Sequence, residues 1–95
     1  MKGYVVCVYK SINDEDKLKK YATKAKGAIE KHKGKILIKG GRKTTTEGIE
    51  SPRTVIIEFS SYHEAKFFYN SKEYQEAHKI LKGSVIRHHQ IIEGI

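Results

Sequence analysis

Tyr4-Val5-Val6-Cys7-Val8-Tyr9, framed by Gly3 and Lys10, is the stretch that decides the fold. Every residue in it is β-branched, aromatic or apolar, so Gly3 to Lys10 reads as a strand. Side chains of a strand alternate between its two faces, and an unbroken apolar run therefore needs cover on both. Downstream, Asn13 or Asp14 offers a helix N-cap, and Asp14, Glu15 and Asp16 place negative charge at the positive end of a helix. Leu18, Tyr21, Ala22, Ala25, Ile29 and His32 follow as one helical stripe, with lysines filling the other side and Gly34 as the expected terminating glycine. Lys35 to Lys39 reads as a second strand, with Gly40-Gly41 suggesting a bulge or a close backbone approach. A threonine-rich segment from Arg42 to Ser51 then reads as an extended arm or long hairpin.

Thr54 to Phe59 is the third expected strand, with Val55, Ile57 and Phe59 opposite Thr54, Ile56 and Glu58. Ser61 and Glu64 have the spacing of a capping box, opening a helix that carries Ala65, Phe68 and Tyr69. Ser71 caps a further helical segment with Tyr74, Ala77, His78 and Leu81, and Ser84 to Ile92 is the last strand. The order is β-α-β-β-α-β, an α+β domain over residues 1–95. Two helices of moderate length shield one face of a four-stranded sheet and leave the other. A domain this small has a thin stability margin, so the second face is expected against another copy, burying roughly 1,500 Å² in a homodimer.

Composition narrows the function classes. Cys7 is the only cysteine, which excludes an intramolecular disulfide and a multi-cysteine metal site; among apolar neighbours it reads as a small core side chain. No HxH or HExxH spacing occurs, so neither a metal nor another cofactor is expected. No apolar run reaches the roughly 20 residues of a membrane span, and the start of the chain does not resemble a signal peptide, so a cytoplasmic location is expected. The formal net charge is +8, and the excess lies between Met1 and Glu47, which holds 13 basic and 5 acidic residues. That asymmetry raises nucleic acid as a partner. The lysines nevertheless surround the whole polar side of the first helix without interleaved aromatics, so nucleic-acid binding is not the expected role.

Arg53 to Phe59, then Ala65, Phe68-Tyr69-Asn70-Ser71 and Glu73-Tyr74-Gln75, resemble the bacterial family catalogued as domain of unknown function 1330. Tyr21-Ala22, Gly40-Gly41, Glu47-Gly48 and Glu93-Gly94 fit the same pattern, so the resemblance spans nearly the whole chain. It implies a ferredoxin-like fold with a four-stranded antiparallel sheet, of the dimeric α+β barrel type. Departures are Lys33-Gly34-Lys35 where two glycines and an arginine are usual, Lys39 for an arginine before Gly40-Gly41, and Leu81-Lys82 where a further arginine is expected. A lysine lacks the guanidinium fork that grips a carboxylate.

The candidate site follows from polar residues on apolar elements. Glu58 interrupts the third strand, and a carboxylate on a face meant for burial needs a partner or a raised pKa; it is a candidate general base or anchor, or a plain salt-bridge partner. His88 and His89 point to opposite faces, and one of them shares a face with Glu58 as a candidate proton partner. Tyr21, Tyr69 and Tyr74 lie on inward helical stripes, as core aromatics or, if they border a cavity, as orienting hydroxyls, and Arg42 and Arg53 beside the arm are solvated or offer anion capture. His32 and His78 read as packed. By analogy with other barrels of this type, the expectation is an isomerase or cofactorless oxygenase-like activity on a small organic acid or carbonyl compound in a dimer cavity. The alternative is a non-catalytic metabolite-binding or regulatory module.

Overall fold

The computed structural model describes residues 1–95. Seven elements follow one another: β1 (Gly3–Ile12), α1 (Glu15–Lys31), β2 (Lys35–Lys39), β3 (Arg53–Phe59), α2 (Tyr62–Tyr69), α3 (Lys72–Ile80) and β4 (Val85–Glu93). The strands form one antiparallel sheet in the order β2-β3-β1-β4. This is the ferredoxin-like α+β architecture expected from the element order, with the second helical stretch divided at Asn70-Ser71 into α2 and α3.

β1 is interior and alternates as the pleat requires. Val5, Cys7 and Tyr9 are buried on the face carrying the helices, and Tyr4, Val6 and Val8 are half-buried on the other. Beneath the helices lies a core of Val5, Ile57, Phe59, Ala25, Ala28, Ile29, Ala65, Phe68, Tyr74 and Ala77. The opposite face has no cover within the protomer. Ile38, Ile86 and Ile92 remain 42%, 59% and 49% exposed there, alongside half-buried Val6 and Ile56. Large aliphatic side chains left in water forgo about 1.5–3 kcal/mol each relative to full burial.

Each helix starts on a side chain suited to the task. The carboxylate of Asp14 accepts from the Lys17 N–H at 3.0 Å, Ser61 Oγ accepts from the Glu64 N–H at 3.0 Å, and Ser71 Oγ accepts from the Tyr74 N–H at 3.2 Å. Such caps contribute about 1 kcal/mol apiece.

Two local expectations need correction, and a third is decided between its alternatives. The left-handed residue closing α1 is Lys33 (φ 59°), not Gly34. Gly34 is required for space, because a Cβ there would lie 2.7 Å from Phe59 Cε1 and 2.9 Å from Ile29 Cγ2. The irregularity in β2 falls between Ile36 and Ile38, so Leu37 is the extra residue. Gly40 and Gly41 instead turn the chain out of the sheet with φ of 71° and 94°. Finally, the segment between β2 and β3 contains no strand, so it is an irregular exposed arm and not a hairpin. Its far end is pinned by Ser51, whose Oγ donates to the Tyr9 carbonyl at 2.6 Å and accepts from the Arg53 N–H at 3.2 Å.

Candidate functional site

Cross-strand register arranges the helix-facing side of the sheet as a grid. Partners opposite one another on an antiparallel pair share a face. One row runs Arg87, Tyr9, Arg53; the next runs His89, Cys7, Val55, Lys39; the third runs Ile91, Val5, Ile57, Ile36. The third row is wholly apolar and belongs to the core. The first two gather polar groups toward the opposite end, and the cavity of about 60 Å³ between the sheet and α1 is lined from all three rows, with Val5, Ile57 and Ile36 as its apolar side.

Arg87 organises that end. Its Nη2 donates to Tyr74 Oη at 2.9 Å, and Nη1 donates to Tyr9 Oη at 3.3 Å, Tyr21 Oη at 3.4 Å and Cys7 Sγ at 3.5 Å. The guanidinium also lies over the rings of Tyr9 and Tyr21, with Cζ 5.6 and 5.3 Å from their centroids, a geometry in which the ring quadrupole favours the cation. Tyr21 and Tyr74 are hydrogen-bonded to each other at 2.9 Å. Four elements, β1, α1, α3 and β4, thus meet on one cation. Every acceptor around it is neutral, and none of the ion pairs in the protein involves Arg87.

The titrations follow from this arrangement. Burial pushes the Tyr9 phenol up to about 12 against the pull of Arg87. It raises Tyr21, Tyr74 and Cys7 as well, so all four remain protonated at neutral pH. Burial, then Arg87, with His78 and His88 contributing, brings His89 down to about 4, and the imidazole is neutral. Burial opposes the charge on Arg87, the surrounding phenols and thiol favour it, and the balance is upward.

Charge around the cavity has one sign. Lys26 from α1, Lys39 from β2, Arg53 and Arg87 all line it, and no aspartate or glutamate does. Arg87 is half-buried without a carboxylate partner, so the water it has lost is compensated only in part by neutral dipoles.

Of the residues singled out from sequence, Tyr21 and His89 border this cavity. Tyr69 stands behind His89, its ring centroid 5.3 Å from the imidazole and 5.3 Å from the Tyr74 ring. Arg42 is exposed on the arm and lines a separate basin with Lys43 and Arg53. Glu58 and His88 lie on the uncovered face of the sheet. There Glu58 accepts from Tyr4 Oη at 3.3 Å and stands opposite Lys35, while His88 stands opposite Val8. The register does not bring Glu58 to either histidine within the protomer. His89 is on the other face, and His88 is four residues along and two strands across, about 16 Å away. Tyr74 and Arg53, also expected as an orienting hydroxyl and an anion-steering cation, are part of this site; Arg87 and Tyr9 are the residues that sequence reasoning passed over. The available signal was an arginine at an inward position of β4, between Val85 and Ile91.

No curated protein matches this chain. Solved structures with the same fold include a protein of unknown function from Rhodopseudomonas palustris (TM-score 0.79, 13% identity, 99% of this chain and 82% of that one). Another is a "putative antibiotic biosynthesis monooxygenase" from Caulobacter crescentus (TM-score 0.66, 11% identity, 99% and 89%). A third is a dimeric ferredoxin-like protein of unknown function from Thermobifida fusca (TM-score 0.60, 11% identity, 99% and 92%). At these identities the likeness speaks for the fold. The sequence profile of the family described as "Domain of unknown function (DUF1330)" matches residues 2–95, and the chain belongs to that family.

Proposed function

We propose that this protein binds a small organic acid or carbonyl compound as its anion in the Arg87 cavity, and promotes proton transfer next to the carbonyl. The observation that carries the reading is the half-buried Arg87 guanidinium, held by three phenols and a thiol and lacking any acidic partner. A carboxylate or enolate oxygen would supply the missing charge, and a guanidinium suits such oxygens in both strength and shape. Tyr21 and Tyr74 add a directed donor. If Tyr74 gives its hydrogen to Tyr21, the Tyr21 hydrogen is free to turn toward the cavity that Tyr21 lines.

In the reaction, a C–H bond beside the carbonyl breaks, its electron pair moves to the carbonyl oxygen, and the proton passes to neutral His89. Arg87 and Tyr21 stabilise the oxyanion as it forms, which is where preorganised donors are most effective. A bound anion also cancels the field of Arg87 at His89, making the imidazole more basic in the complex than in the free protein. Return of the proton at a different atom completes an isomerisation. The monooxygenase description of the Caulobacter crescentus protein is compatible with the same first step, followed by capture of the carbanion by dioxygen.

The assembly we propose is a homodimer packed through the uncovered sheet face, supported by the exposed isoleucines there and by the dimeric Thermobifida fusca protein. Glu58 and His88 would then meet the second copy.

Proton exchange tests the reading. In D2O with 2-oxopentanoate, the protein is expected to accelerate loss of the C3 protons, followed by proton NMR, above the protein-free rate. Arg87→Met is expected to abolish binding, and His89→Gln to retain binding without exchange. No binding by the wild type refutes the proposal. Binding without exchange would establish the second reading, a non-catalytic metabolite-binding module, which is favoured by the weak basicity of His89 in the free protein.

A further inference from the structure

We infer that the ligand is a dianion with one anionic group on Arg87 and a second on Arg53, so that the substrate class is short dicarboxylates rather than monoacids. The inference rests on the anion-binding reading above and adds to it the number and placement of charges. Arg87 and Arg53 flank Tyr9 in one cross-strand row, which puts their Cα atoms about 10 Å apart on the same face. Their surroundings differ. Arg87 is enclosed by phenols, whereas Arg53 sits at the rim with Lys39 and Lys26 and takes part in none of the ion pairs. Arg53 Nε is buried without a hydrogen-bond partner.

Arg53 also joins two spaces. It lines the cavity under α1 and a basin of about 430 Å³ beneath the Gly40-Gly41 turn. A Cβ at Gly40 would lie 3.6 Å from Arg53 Nη1, so the glycine turn passes close over the guanidinium. Arg42, which has no ion-pair partner, faces the same basin; Lys43 there is already neutralised by Glu50 at 2.7 Å. One anion on Arg87 leaves Lys26, Lys39 and Arg53 uncompensated around an apolar-walled space, where like charges repel. A second carboxylate at the rim relieves that repulsion by pairing with the Arg53 guanidinium. The first end is the reacting one, beside Tyr21 and His89, and the rim end orients it.

The test compares two five-carbon probes with the same head, 2-oxopentanoate and 2-oxoglutarate, by isothermal titration at low salt. We expect 2-oxoglutarate to bind about tenfold or more tightly, the effect of an added charge-assisted contact. Arg53→Met should reduce 2-oxoglutarate to the affinity of 2-oxopentanoate while leaving 2-oxopentanoate within about twofold of its wild-type value. Lys39→Met, on an exposed strand position, should narrow the gap in the same direction and serves if Arg53→Met does not fold. Equal binding of the two probes by the wild type overturns the inference and leaves the anion-binding reading intact. So does a variant that weakens both probes equally. Failure of both probes to bind the wild type overturns both readings.

Discussion

His89 gives the most quantitative prediction, and the perturbation is His89→Gln. Burial and the nearby Arg87 bring the imidazole from 6.5 to about 4 in the folded protein. The unfolded chain therefore binds a proton that the folded chain refuses between those two values. Stability from this group is complete above pH 6.5 and is lost as pH falls toward 4. A shift of about 2.5 pKa units corresponds to about 3 kcal/mol, with a limiting slope of about 1.4 kcal/mol per pH unit. Glu50 and Glu73, with lowered pKa values from Lys43 and Lys31, and His78, lowered by partial burial and then by Arg87, contribute in the same direction. The wild-type curve alone is thus insufficient, and the difference between wild type and His89→Gln is the quantity to measure. Urea unfolding at half-unit steps from pH 4 to 7.5 provides it. The variant should lose about 3 kcal/mol less than wild type across the window, whatever its stability at pH 7.5. Parallel curves, or His89 ring resonances titrating near 6.5, would refute the buried, Arg87-flanked imidazole.

Three further outcomes are expected. Tyr74→Phe leaves Arg87 Nη2 without an acceptor and leaves Tyr21 Oη only its 3.4 Å contact from Arg87 Nη1, and should cost about 1–3 kcal/mol in urea melts, with Tyr21→Phe non-additive in the double variant; additive, negligible losses would mean that the network is not formed in solution. Gly34→Ala places a methyl against the buried Phe59 ring and should destabilise by about 1–3 kcal/mol, a loss absent at Gly27, where an added Cβ meets nothing. Ile56→Lys, on the uncovered face beside Val6, should convert the proposed homodimer to a folded monomer in sedimentation equilibrium; a dimer of unchanged affinity would place the interface elsewhere.

The architecture was legible because strands and helices declare themselves locally. The unbroken apolar run of β1, the alternation in β3 and the serines before α2 and α3 each constrain a few residues, and together they leave one element order. The candidate site was legible only in part. In β3, Glu58 stands out because its neighbours are apolar; Arg87 also turns inward, but it lies next to His88, His89 and Gln90, so the strand looks polar and the inward cation is hidden among outward ones. Tyr9 and Tyr74 carry the same ambiguity, since an aromatic on an inward stripe fits a core and a binding cavity equally well. What joins them is the pairing of Tyr9 with both Arg87 and Arg53, a long-range fact of register. Sequence spacing puts one of the two histidines on the face of Glu58, but it cannot say that it is His88, nor give the offset of two strands and four residues that separates them.

Because β1 is interior and the pleat has a period of two, a single inserted residue that the strand absorbed by sliding would exchange its two sets of side chains. Tyr4, Val6 and Val8 would turn toward the helices, and Cys7 and Tyr9 would be cast out into water, so the phenol between the two arginines and the greasy outer surface would vanish in one genetic event. Changes of length in this chain should therefore be tolerated in the irregular arm from Arg42 to Glu50, while the central strand can drift only by substitution.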